Sequence, residues 1–167
     1  RLCPNGLKKD HWGKPHLAGD NGFISIAHCK GYAAAVYSAS QSVGIDIEPV
    51  HDKVQRIAPK FLNENELIDI GLEGKSEYFV MCWSIKEALY KWYGKKQLSF
   101  KNNINIINFN REEKIAEVQL SRTDSRDPEK IYNPFSKEEL NNLGQGEWAS
   151  WISYLELDDQ KRFIVES

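Results

Sequence analysis

The chain has 167 residues, of which 41% are hydrophobic and 28% are charged, and its formal net charge is −2. This length and composition are typical of one globular domain or two small lobes, and a charge near zero argues against non-specific binding of nucleic acid. Because no apolar run approaches the ~20 residues of a membrane helix and no secretory signal is visible, we expect a cytoplasmic protein without a membrane partner.

The first part of the chain is predicted to be a loop followed by strands. Residues 1–22 are rich in Gly, Pro, Lys and His, which is typical of a loop. Alternation and short turns predict three strands, at Phe23–His28, Tyr32–Tyr37 and Val43–Ile47. We expect these strands to form an antiparallel meander.

Helical periodicity follows. An apolar face is formed by Val54, Ile57, Ala58 and Phe61. Asn63 and Glu66 have the spacing of a capping box, which predicts a short helix over Glu64–Ile70.

The strongest helical pattern covers about Glu77–Tyr93. Its apolar residues recur at helical spacing and include Cys82, which we expect to be a core residue. Gly94 is in the right place to end this helix.

The rest of the chain is predicted to return to strands, with one long polar excursion over residues 121–147 that contains about one helical turn near Lys137–Leu143. The predicted strands are Ile104–Asn108, Ile115–Leu120, Trp148–Leu157 and Arg162–Val165. Strands, then helices, then strands again favour an α+β fold.

The strand Val43–Ile47 continues into an acidic pair. Period two places its apolar residues on the buried face and Asp46 and Glu48 on the opposite face, with Cα atoms ~6.6 Å apart. Two carboxylates this close repel each other unless a cation is near, and carboxylate and phosphate oxygens around a hard ion form a magnesium site. The plain alternative is a solvent-facing strand edge with two acids.

The helix supplies a third acid. Glu87 and Lys91 are four residues apart and share a face, and Trp83 lies four residues before Glu87 on the same stripe. The plain interpretation is a surface ion pair worth ~0.3–0.5 kcal/mol. The chemical interpretation is that Glu87 completes a metal site while lysines neutralise phosphate charge.

Two motifs together resemble the paired signature of the 4'-phosphopantetheinyl transferases: GIDIE at residues 44–48 and WSIKEALYK at residues 83–91. The chain is similar to the larger, surfactin-synthetase-activating class. Gly13-Lys14-Pro15 resembles the GKP element of that class, and Ile26-Ala27-His28 resembles its (I/F)SH element, with Ala27 in place of the usual Ser.

The resemblance implies a fold in which small antiparallel sheets pack with helices in two pseudo-symmetric lobes, and the N-terminal lobe is expected to be incomplete here. Residues 1–50 would be the remainder of the N-terminal lobe, with the GKP, AH and GIDIE elements. Residues 51–167 would form the C-terminal lobe, with the WSIKEALYK helix and the C-terminal strands.

The activity that the resemblance implies is magnesium-dependent. The 4'-phosphopantetheine group would pass from coenzyme A to a serine of an apo acyl or peptidyl carrier protein, with release of 3',5'-ADP. Asp46, Glu48 and Glu87 would hold Mg²⁺. Glu87 and Lys91 would be the catalytic residues. Glu87, or a water on the metal, would take the serine proton, and Lys91 would stabilise the leaving nucleotide or donate a proton to it.

Coenzyme A, the co-substrate, would be held by lysines and a histidine. By resemblance, Lys14 and His28 contact the region of the nucleotide 3'-phosphate, and Lys86 and Lys91 contact the pyrophosphate.

Two other functions are compatible with these residues. A non-catalytic relative could bind coenzyme A or a carrier without transfer, since Ala27 replaces the usual Ser and the N-terminal lobe is expected to be incomplete. A magnesium-dependent nuclease also clusters acids and a lysine around phosphate, but the near-zero net charge and the GKP and AH elements count against it.

Overall fold

The computed structural model describes residues 6–70, 76–96, 98–110, 115–120, 150–157 and 163–166. The elements in chain order are β1 (Leu7–Lys9), β2 (Pro15–Leu17), β3 (Phe23–Cys29), β4 (Tyr32–Ser38), β5 (Ile45–Pro49), α1 (Lys53–Phe61), α2 (Glu64–Ile70), α3 (Ser76–Tyr93), α4 (Phe100–Asn103), β6 (Ile104–Asn110), β7 (Ile115–Leu120), β8 (Ser150–Leu157) and β9 (Phe163–Glu166). The helical turn predicted near Lys137–Leu143 lies outside the described residues.

The first sheet is antiparallel and has the strand order β1-β2-β3-β4. Its first two strands occupy the segment predicted to be a loop, so that prediction was wrong. The carboxylate of Asp10 closes the turn between them by accepting from the backbone N–H groups of Trp12 and Lys14, both at 2.9 Å. Strands of three residues have too little alternation to be recognised without their partners.

The second sheet has the order β5-β8-β9-β7-β6, which places β5 at its edge. The strand β5 pairs with β8 from Ile45↔Tyr154 to Pro49↔Ser150. The predicted meander is therefore correct for β3 and β4 and wrong for the third strand. A side-chain hydrogen bond joins β5 to the first sheet, since Ser25 Oγ accepts from the N–H of Ile45 at 3.1 Å.

The helices α1, α2 and α3 follow the sequence prediction closely, whereas α4 was not predicted. The capping box at the start of α2 is reciprocal: Glu66 N–H donates to Asn63 Oδ1 at 3.0 Å, and Asn63 N–H donates to Glu66 Oε2 at 2.8 Å. The end of α3 is marked by Gly94, which has a φ of 69°. None of the described helices is long and apolar enough to cross a bilayer.

Two apolar clusters form the described core. The larger one joins α1, α3, β6 and β7, and it includes Leu89, Ile104 and the predicted core residue Cys82. The smaller one lies between β3, β4 and β5 and includes Val36 and Ile47. Burial of each large aliphatic side chain contributes about 1.5–3 kcal/mol, so α3 is fixed mainly by packing.

Helices packed with small antiparallel sheets confirm the predicted α+β class. The two pseudo-symmetric lobes and the division at residue 50 stay predictions.

Candidate active site

The strand β5 and the helix α3 approach each other at Gly44. A Cβ atom on Gly44 would lie 2.0 Å from the carbonyl oxygen of Ala88 and 2.8 Å from the backbone nitrogen of Trp92. Only glycine permits this contact between backbones. Asp46 and Glu48, which follow in the strand, are therefore held against the helix.

Two side-chain contacts connect the acidic pair to α3. Lys91 Nζ lies 2.6 Å from Asp46 Oδ1. Trp83 Nε1 donates a hydrogen bond to Glu48 Oε1 at 3.3 Å. Glu87 lies four residues from each of these helical residues and shares their face, so it is placed between the two contacts.

The pKa values of Glu48 and Glu87 are both raised, and Asp46 contributes to each rise. Burial raises the pKa of Glu87, the charge of Asp46 raises it further, and Lys91 opposes the shift. Burial also raises the pKa of Glu48, and Asp46 adds to that rise, while the hydrogen bond from Trp83 works against it. Both carboxyl groups are thus held in a negative, poorly solvated environment.

Asp46 is buried, which corrects the interpretation of its strand face as solvent-facing. Its exposed fraction is only 4% because α3 covers this face of β5. Its Oδ2 atom has no hydrogen-bond partner in the part of the chain that the structure describes. A buried anionic oxygen without a partner is costly, and a bound cation would remove that cost.

The donor set suits a divalent cation, although the described residues contain no three acidic, histidine or cysteine side chains already close enough to enclose one. The Lys91 ammonium is in contact with Asp46. Three ionised carboxylates and one ammonium leave a local charge of about −2, and hard oxygen donors are the ligands that Mg²⁺ prefers. Asp46, Glu48 and Glu87 therefore fit such an ion.

The structure gives Lys86 a different environment from the other predicted site residues. Its ammonium is buried and donates to Glu66 Oε2 at 2.7 Å, to the Phe61 carbonyl at 2.9 Å and to the Phe100 carbonyl at 3.0 Å. Burial lowers the pKa of Lys86, and Glu66 opposes that shift. Since these protein groups occupy its ammonium, the described contacts give no support to the predicted contact of Lys86 with the pyrophosphate.

Lys14 lies at the C-terminal end of α3. Its ammonium donates to the Trp92 carbonyl at 2.8 Å and to Ser42 Oγ at 2.7 Å, and its aliphatic stem passes over Gly94. A cation at this end of a helix is favourable because it neutralises the partial negative charge of the last carbonyls. The predicted contact of Lys14 with the nucleotide stays a prediction.

The strand β3 separates the two residues of the AH element. His28 is exposed, on the same strand face as Ile24 and Ile26. Ala27 is on the opposite face, in the apolar cluster beneath β5. A serine hydroxyl at this position would therefore lie in the apolar cluster and not on the exposed face that carries His28.

A cavity of about 490 Å³ lies beside Lys91. The β1–β2 hairpin, β3 and the residues around Gly94 line it, and its lysines are Lys9, Lys14, Lys91, Lys95 and Lys96. Five lysines around one concave surface create a positive potential that favours an anionic ligand.

Sequence reasoning did not identify two features of this site. It placed Trp83 on the stripe of Glu87 without its contact to Glu48, and it assigned no role to the close approach at Gly44. A signal for the burial of Lys86 did exist, because Lys86 is four residues from Cys82 and three from Leu89 and so falls within the apolar stripe.

Comparison with known proteins agrees with these motifs. The model of the 4'-phosphopantetheinyl transferase superfamily matches residues 42–135. The chain is 28% identical over 131 residues to the 4'-phosphopantetheinyl transferase gsp of Aneurinibacillus migulanus. The aligned residues make up 77% of this chain and 52% of that relative. It is 32% identical over 88 residues to ffp of Bacillus subtilis and to Sfp of Bacillus subtilis strain 168, both named 4'-phosphopantetheinyl transferases, with 50% of this chain and 39% of the relative covered in each case.

The chain spans about half the length, or less, of these curated relatives. The family match nevertheless takes in the whole acidic pair and the helix that faces it. The chain belongs to the 4'-phosphopantetheinyl transferase superfamily.

Proposed function

We propose that this chain transfers the 4'-phosphopantetheine group of coenzyme A to a serine of an apo acyl or peptidyl carrier protein, with release of 3',5'-ADP, and that the reaction depends on Mg²⁺. The observation that carries the proposal is the mutual placement of Asp46, Glu48 and Glu87 beside Lys91. Family membership and the three named relatives support it.

The reaction forms a bond between the serine oxygen and phosphorus and breaks the bond between that phosphorus and the bridging oxygen of the pyrophosphate. A serine hydroxyl needs a base within hydrogen-bond reach. Glu87, whose position on α3 lies between the contacts of Trp83 and Lys91 with the acidic pair, or a water on the metal would take that proton. Lys91 carries the positive charge that stabilises the leaving 3',5'-ADP.

Asp46, Glu48 and Glu87 would hold the Mg²⁺ ion. When bound, the ion supplies charge neutralisation at the pyrophosphate. The Oδ2 atom of Asp46, which has no hydrogen-bond partner among the described residues, supports this assignment.

The lysine-lined cavity beside Lys91 suits the phosphorylated nucleotide of coenzyme A. Lys9, Lys95 and Lys96 are cations there that the sequence motifs do not include. His28 lies on the strand face whose residues Ile24 and Ile26 line the same cavity, which favours its predicted contact with the nucleotide. The cytoplasmic location stays a prediction.

The test is mass spectrometry of several apo carrier proteins mixed with this chain, coenzyme A and Mg²⁺. We expect the added mass of phosphopantetheine on at least one carrier and its loss with Asp46→Ala or Glu87→Gln, both checked for folding by circular dichroism. No added mass on any carrier, while coenzyme A still binds, would instead support the non-catalytic alternative. Cleavage of DNA with Mg²⁺ at low protein concentration would support the nuclease.

A further inference from the structure

Trp83 connects the acidic pair to an aromatic cluster. The indole ring lies against Phe61 with centroids 5.0 Å apart and an interplanar angle of 78°, and against Phe100 at 5.4 Å and 52°. Contacts with two rings from different elements restrict the orientation of the indole. Its N–H is therefore held in a fixed direction, toward Glu48 Oε1.

The hydrogen bond from Trp83 to Glu48 is one of two described side-chain contacts that join α3 to β5. The other is the contact between Lys91 and Asp46. The Cα atoms of Trp83 and Lys91 are ~12 Å apart on the helix, whereas those of Asp46 and Glu48 are ~6.6 Å apart on the strand. Both long side chains therefore reach toward the part of the helix that carries Glu87.

The hydrogen bond engages one of the two carboxylate oxygens of Glu48. A carboxylate that accepts an N–H bond at one oxygen binds an ion preferentially through the other, and such supporting bonds orient metal ligands. The indole N–H therefore restricts the orientation of the Glu48 carboxylate.

We propose that Trp83 is a positioning residue that orients Glu48, so that Glu48 binds a divalent cation through Oε2. This inference rests on the proposed Mg²⁺ site and adds a residue to it. Trp83 touches neither the ion nor the substrates in this role, and its effect passes entirely through Glu48.

The test compares Trp83→Phe with the wild-type chain. Phenylalanine keeps an aromatic ring between Phe61 and Phe100 but has no N–H to donate. Ile85→Val is the control, since it removes a methyl group from the buried face of the same helix and leaves the indole intact. Mn²⁺ replaces Mg²⁺ as the probe, and its dissociation constant is measured by electron paramagnetic resonance, with and without coenzyme A.

We expect Trp83→Phe to weaken Mn²⁺ binding about tenfold, the lower end of the effect of such supporting groups, and Ile85→Val to change it less than about twofold. In the Glu48→Gln background, Trp83→Phe should have no further effect. In the transfer reaction, the KM for Mg²⁺ should rise about tenfold while kcat at saturating Mg²⁺ stays within about twofold.

Equal Mn²⁺ affinities of Trp83→Phe and the wild type would overturn the role of Trp83 and leave the proposed function intact. An undiminished effect in the Glu48→Gln background would overturn it too, because the indole would then act by another route. A wild-type chain that binds no Mn²⁺, even with coenzyme A, would instead overturn the cation site itself, together with the role of Trp83.

Discussion

Gly44 and Ala88 are in contact so closely that a single methyl group would not fit between them. A Cβ atom at Gly44 would lie 2.0 Å from the carbonyl oxygen of Ala88, which belongs to the backbone of α3 and cannot turn away. The strand that carries two of the acids is thus positioned by the helix that carries the third.

Gly44→Ala should therefore separate β5 from α3. We expect a loss of about 3 kcal/mol of unfolding free energy, and a melting temperature lower by about 6–12 °C, because the backbone must shift to relieve the overlap. Thermal denaturation measures this loss. The control is Gly31→Asn in the β3–β4 turn, where a Cβ would meet no atom within 4 Å and Asn tolerates the positive φ. Similar losses in both variants would contradict the close-approach explanation.

The buried pair of Lys86 and Glu66 should be essential to stability as a pair. Lys86→Met would leave the Glu66 carboxylate buried without its cation, and such a loss typically costs about 3–5 kcal/mol. The double variant Lys86→Met with Glu66→Gln should recover part of it, because the amide oxygen can still accept the backbone N–H of Asn63 or Ile106 without a buried charge. Urea denaturation of the wild type, Lys86→Met, Glu66→Gln and the double variant gives the coupling free energy between the two residues. Strictly additive losses of unfolding free energy would show that the two groups act independently.

Glu87 should make the metal-free protein less stable as the pH rises. Its pKa in the folded chain is raised from the ordinary 4.5, so the folded state keeps the proton after the unfolded state has lost it. The stability from this group is complete below pH 4.5 and is lost as the pH rises through the folded pKa. In EDTA, the unfolding free energy of Glu87→Gln minus that of the wild type should therefore increase from pH 4.5 up to the folded pKa of Glu87 and then level off.

Urea denaturation at a series of pH values measures this difference. Added Mg²⁺ should reduce it at neutral pH, because an ion that binds only the folded wild-type site stabilises that state. Parallel curves for the two proteins in EDTA would show that Glu87 does not experience the buried, negative environment described above.

Lys14 can be assigned to one of two roles with a truncated substrate. If Lys14 contacts the 3'-phosphate, Lys14→Met should raise the KM for coenzyme A and leave the KM for 3'-dephospho-coenzyme A unchanged. If Lys14 mainly caps α3, the variant should raise both KM values by the same factor. It should also lose about 1–2 kcal/mol of unfolding free energy. The contact with Trp92 favours the second outcome, and the ratio of the two KM values decides the matter.

Local signals predicted local structure well. The capping box at Asn63 and Glu66 marked α2 correctly because both of its hydrogen bonds join residues three apart. Gly94 ended α3 as expected, and the hydrophobic period identified α1 and α3 because a helix face is determined by spacing alone.

Contacts distant in sequence were the ones missed. The pairing of β5 with β8 joins segments about a hundred residues apart, and nothing within β5 specifies that partner. Alternation correctly placed Asp46 opposite Ile45 and Ile47, but it could not show that a helix covers that face. The motifs located the acids, whereas their burial and their partners depend on which surfaces the fold brings together.

The ammonium of Lys14 ties the β1–β2 hairpin to the last turn of α3, across 78 positions of the chain. That turn follows directly after Lys91, and both lysines line the same cavity. A molecule that fills the cavity and displaces the hairpin would therefore also shift the last turn of α3, next to the contact between Lys91 and Asp46. The contact between Lys14 and Trp92 therefore couples the hairpin side of the cavity to the position of Lys91.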